Sequence, residues 1–77
     1  MMEKTDLRGI FIPEIIFKLE IEINRIENNE DLLALIDDDT AEDWIIRWAH
    51  KKGHDVLSTE KVATGINFVI KKGGYLN

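Results

Sequence analysis

The chain of 77 residues contains no cysteine. That absence removes disulfide bridges, thiolate metal sites and thiol nucleophiles together, and it accords with a reducing compartment. No apolar run approaches the roughly 18 residues of a membrane span. The N-terminal stretch MMEKTDLRG mixes both charges where a secretory signal has a basic start and an apolar centre. A cytoplasmic protein without membrane contact is therefore expected. No glycine-rich phosphate loop is present, because Gly73 and Gly74 close a segment and do not open a helix. Positive charge is also missing where it would be conspicuous: residues 26–46 carry eight carboxylates and neither lysine nor arginine. With a net charge of −5, general affinity for nucleic acid is excluded, since phosphates call for a basic surface.

What is present belongs to a small folded domain. Apolar residues make up 44% and charged residues 32% of the chain, a balance that supports a core and not a disordered segment. At this length there is room for one core only. Residues 47–77 reverse the sign of the acidic stretch, with Arg47, Lys51, Lys52, Lys61, Lys71 and Lys72 against Asp55 and Glu60.

The segment FKLEIEIN, Phe17 to Asn24, alternates apolar and polar residues as a half-buried strand does, yet no turn residue interrupts the chain for a long stretch after Pro13. At about 100° per residue, Ile12, Ile15, Ile16, Leu19, Ile23 and Ile26 gather on one side of a helix, and Phe17 and Ile21 stack one turn apart on the other. Pro13 suits the first helical turn and Glu14 suits its positive end. Asn29 can cap a short helix over EDLLALI. Thr40 and Asp43 approximate a capping box for a helix with Ala41, Trp44, Ile45, Trp48 and Ala49 inward and Gly53 as its stop. Ser58 can cap a last helix through Val62, Ile66, Val69 and Ile70, in which Gly65 is the least suitable residue.

The fold predicted from these patterns is an all-α bundle of four helices, 13–28, 30–36, 41–52 and 59–72, preceded by an irregular arm at 1–11. The alternative is an α+β domain with strands at 17–24 and 66–76.

The reactive constellations are thin. His50 and His54 have the i,i+4 spacing of two zinc ligands on one helical face, but Gly53 interrupts the helix and a third ligand is missing. The acidic run lacks the order of a calcium loop. Ser58 near His54 lacks the further groups a nucleophile needs. No metal, no cofactor and no catalytic residue is assigned, and a non-enzymatic protein is expected.

Two surfaces remain as partner-binding candidates: the apolar pair Phe17 and Ile21, and the carboxylates Asp37, Asp38, Asp39, Glu42 and Asp43. They suggest a small binding or regulatory protein that works through protein–protein contact, with a weak homodimer also compatible. A second reading is an acidic inhibitor that occupies the nucleic-acid-binding cleft of a target enzyme. A third comes from WAHKKGHDVLSTEKV, where Ala49, Gly53, Leu57, Ser58, Glu60 and Val62 form a pattern that resembles the end of leader domains on some ribosomally made peptide precursors. That resemblance implies a substrate of a peptide-modifying enzyme.

Overall fold

The computed structural model describes residues 2–74. It is an α+β domain and not a helical bundle. In chain order it has β1 (Glu3–Asp6), α1 (Glu14–Ile23), β2 (Asp31–Ile36), α2 (Ala41–Lys52), β3 (Asp55–Val62) and β4 (Gly65–Lys71). One four-stranded sheet has the order β1-β2-β4-β3. β1 runs parallel to β2, while β4 is antiparallel to both of its neighbours, so β1, β2 and β3 all point one way. Each helix follows one of these parallel strands and leads to the next. Both helices therefore start at the same end of the sheet.

The expected helix over 30–36 is strand β2, and the reason lies across the sheet. Leu32, Ala34 and Ile36 pair directly with Ile70, Phe68 and Ile66 of β4, and all six are buried. The largest of these side chains, Phe68, faces the smallest, Ala34. These opposed pairs, which no local window contains, override the local preference of DLLALI.

The expected helix over 59–72 is likewise absent: β3 and β4 form a hairpin joined by Ala63 and Thr64. Gly65 sits at φ 154°, and a Cβ there would lie 2.5 Å from the Ile36 carbonyl oxygen, so the residue that fitted a helix worst is required by the hairpin. Ser58 lies at the register shift between Val56 and Ser58 in β3 and caps nothing helical.

The other two expected helices exist. α2 occupies 41–52 and stops at Gly53 in the left-handed conformation. α1 is shorter than 13–28, ending at Ile23, and the alternating segment FKLEIEIN is helical up to that residue. The alternative strand at 17–24 is thus also corrected. The alternative strand at 66–76 overlaps β4 up to Lys71, and its last two residues lie outside the described residues.

Ile15, Leu19 and Ile23 of α1 and Ala41, Ile45, Trp48 and Ala49 of α2 join the inward strand residues in one core cluster. Trp48 binds the helices together by donating its Nε1–H to Glu20 Oε1 at 2.8 Å. The arm expected at 1–11 contains β1 and a structured loop.

Candidate functional site

The loop between β1 and α1 is tied to the connection between β2 and α2. Leu7 continues the ladder by donating its N–H to the Leu35 carbonyl at 2.8 Å, and its side chain is buried. Gly9 then turns the chain and donates its N–H to Asp37 Oδ1 at 2.8 Å. Three residues on, the Ile12 N–H reaches Asp38 Oδ2 at 3.2 Å. The other oxygen of Asp38 accepts from the Thr40 N–H at 3.0 Å and from the Thr40 hydroxyl at 2.6 Å. The two connections that precede the helices are stitched to each other by neighbouring carboxylates.

Asp38 is 8% exposed and is buried together with the bonds that satisfy it. The Thr40 hydroxyl and N–H hold its carboxyl below the ordinary carboxylate value; burial opposes them and the Ile12 N–H assists. The expected capping box is replaced by this arrangement: the Thr40 side chain bonds Asp38 and does not cap α2.

At the edge of the loop, Arg8 donates through Nε to Asp6 Oδ1 at 2.9 Å and through Nη2 to Asp6 Oδ2 at 2.7 Å. Asp6 is lowered to about 2, first by this side-chain hydrogen bond and then by the Arg8 N–H. Both groups are exposed. They border an open hollow of about 630 Å³ together with Gly9, Asp37 and Thr64. Phe11, at the apex of the loop, is 64% exposed.

Among the residues named from sequence, Asp37 and Asp38 meet at this loop. Asp39 and Asp43 are exposed close by, and Glu42 is half-buried. Phe17 and Ile21 lie elsewhere, on the outer side of α1, at 63% and 56% exposure. Sequence reading missed Arg8, Gly9, Phe11 and Ile12. The signal that points toward them is Gly9 followed by Pro13, which reads as a turn and a helix start; KTDL before it has no apolar alternation to mark a strand.

His50 and His54 border one shallow hollow with Asp55, but the His54 Nδ1 accepts the Gly73 N–H at 3.0 Å. Its ring lies 5.3 Å from that of Trp48, and burial pushes the imidazole below its ordinary value. Among the described residues, no group of three or more histidines and carboxylates is arranged to hold a metal ion.

A loop whose backbone N–H groups are held by two carboxylates leaves its aromatic residue, Phe11, in water. The protein-family model described as Sulfurtransferase TusA matches residues 3–72, from the first residue of β1 to the residue after β4. The chain belongs to this family. The match overturns the expected regulatory protein, the inhibitor of a nucleic-acid-binding cleft and the peptide leader, because members of the TusA family transfer sulfur to partner proteins. A protein partner is the part of the earlier expectation that the family retains. No curated protein matches the chain. Among the described residues, no helix is long and apolar enough to cross a membrane.

Proposed function

We propose that this chain takes part in sulfur transfer as the docking member of a protein pair whose partner supplies the sulfur-bearing thiol. One observation carries the reading: a TusA-family chain in which none of the 77 residues is a cysteine. Moving a sulfane sulfur between proteins requires a thiolate that attacks the outer sulfur of a persulfide, forms a new S–S bond and releases the donor as its thiolate. Neither methionine can do this, because a thioether has no S–H to ionise. The covalent step therefore lies on the partner, and this chain is not the enzyme of it.

What the chain contributes is the loop end of the fold, where Phe11 stands in water above a backbone fixed by Asp37 and Asp38. Aromatic residues on a rigid base are common anchors of protein contacts. The net charge of −5 favours a protein over a nucleic acid as partner, and the setting we assign is the cytoplasm, away from membranes.

Two measurements test this. Intact mass spectrometry after exposure to glutathione persulfide should find no one-sulfur increment on this chain. Titration with a persulfide-loaded, cysteine-bearing TusA-family protein should shift the amide resonances of residues 8–12. A sulfur adduct on the wild-type chain, or an unmoved loop, refutes the reading. Ile12→Cys sharpens it, because a thiol placed just before α1 gains thiolate character from the helix N-terminus and should accept and pass on one sulfur.

A further inference from the structure

The outer face of the helix layer carries an apolar centre between charges of opposite sign. Since α1 and α2 start at the same end of the sheet, and the bond from Trp48 to Glu20 sets their relative height, the fourth residues of both helices, Phe17 and Trp44, lie at one level. The buried sets of the two helices define where their other sides point. At about 100° per residue, Glu14, Phe17 and Ile21 face away from the sheet on α1, as do Asp43 and Arg47 on α2. Trp44 and Lys51 lie on the flank of α2 that turns toward α1, the flank from which Trp48 reaches Glu20.

Phe17 is 63%, Ile21 56% and Trp44 52% exposed, and the Arg47 guanidinium stands 5.9 Å from the centre of the Trp44 ring. Apart from Lys18 beside Phe17 and Arg47 at the Trp44 ring, the charges around this centre are sorted along the helix axes. Glu14 and Asp43 lie toward the starts of the helices. Lys51 lies at the end of α2, and Arg25 lies in the turn after α1, its exposed guanidinium 3.6 Å from the half-buried Glu22 carboxylate.

We propose that this face is a self-complementary interface that pairs two copies of the chain with their helices antiparallel. A two-fold axis perpendicular to the helices brings each apolar centre onto the other. The same rotation sets Glu14 and Asp43 of one copy against Arg25 and Lys51 of the second, and the reverse contact follows by symmetry. No other partner has to be assumed for the charges to match. The expected contact is weak. Taking about 150–250 Å² for a whole aromatic side chain, the exposed fractions leave roughly 300 Å² of apolar surface per copy, against about 800 Å² per partner in a stable complex. The dimer should form reversibly at high concentration and dissociate as salt screens its rim. It uses a different face from the loop end, so its failure leaves the sulfur-transfer reading untouched.

Sedimentation equilibrium from micromolar to millimolar concentration is the test. The wild-type chain should show a monomer–dimer equilibrium that shifts toward monomer with added salt. Glu14→Lys with Asp43→Lys reverses the acidic end of the face, and Arg25→Glu with Lys51→Glu reverses its basic end. Each doubly substituted chain should be monomeric alone, and an equimolar mixture of the two should dimerise again. Phe17→Gln with Ile21→Lys should abolish dimerisation with an unchanged far-UV circular dichroism spectrum. A wild-type chain that stays monomeric at millimolar concentration overturns the proposal. So does self-association of either charge-reversed chain at wild-type strength, and so do dilution-dependent amide shifts at Leu33, Leu35 and Val69 on the open side of the sheet in place of the helix face.

Discussion

The loop end and the helix face of this protein solve opposite problems. At the loop end, polar groups are removed from water and answered: Asp38 is buried, yet one hydroxyl and two backbone N–H groups point at it. On the helix face, apolar groups are left in water and unanswered, with Phe17, Ile21 and Trp44 each more than half exposed. The difference separates what shapes the monomer from what is available to another molecule. A satisfied buried carboxylate is costly to remove, because its donors are then stranded. An exposed aromatic residue contributes little to the monomer, so its removal is felt mainly in association.

The largest expected effect lies at the loop end. Asp38→Ala strands the Ile12 and Thr40 N–H groups and should destabilise the fold by about 3 kcal/mol, read as a lower urea midpoint with an unchanged slope. The same carboxyl gives the loop end an acid limit. Its folded value is depressed, so its contribution is present above the ordinary carboxylate range and is lost as pH falls through the folded value. A loss below about 0.5 kcal/mol in Asp38→Ala would break the comparison, since the loop would then be held by something else.

A smaller effect belongs to His54. Burial lowers its folded value, so the unfolded chain binds more protons just below the ordinary histidine value of about 6.5, and stability falls as pH drops through that range. Protonation of Nδ1 also cancels the bond from Gly73. Denaturation midpoints of the wild type should decline between about pH 7 and 5, and His54→Asn, which keeps an acceptor but does not titrate, should flatten that decline.

Trp48→Phe should cost about 1 kcal/mol through the lost bond to Glu20. Least affected in stability is Phe17→Gln with Ile21→Lys, expected within about 0.5 kcal/mol of wild type by urea denaturation. If that pair proves as damaging as Asp38→Ala, the helix face is part of the fold and the contrast dissolves.

How far the sequence could be read follows from the range of the interactions. α2 is visible at both ends, because periodicity, terminal charges and Gly53 are all local to it. The core side of α1 is visible for the same reason, whereas its end at Ile23 is not. β2 and β4 each contain a run of apolar residues that suits either state, and the choice between them is made by the pairing of Leu32 with Ile70, Ala34 with Phe68 and Ile36 with Ile66. These partners stand thirty or more residues apart. The candidate site fails in the same manner. Asp37 and Asp38 drew attention as charges, but their hold on Gly9 and Ile12 spans 28 and 26 residues, a distance at which no spacing rule applies. The missing cysteine, by contrast, needs no structure to be read, and it carries the functional conclusion once the family is known.

The stitch between the two connections also has a mechanical meaning. Because Asp37 grips the turn of one connection and Asp38 grips both its end and Thr40 of the other, the two cannot hinge separately. They form a single stiff lip across the end of the domain, rooted in the starts of both helices. A molecule that pulls on Phe11 therefore pulls on the first turn of α2 as well, and a load taken up at the loop arrives at the helix layer without passing through the sheet.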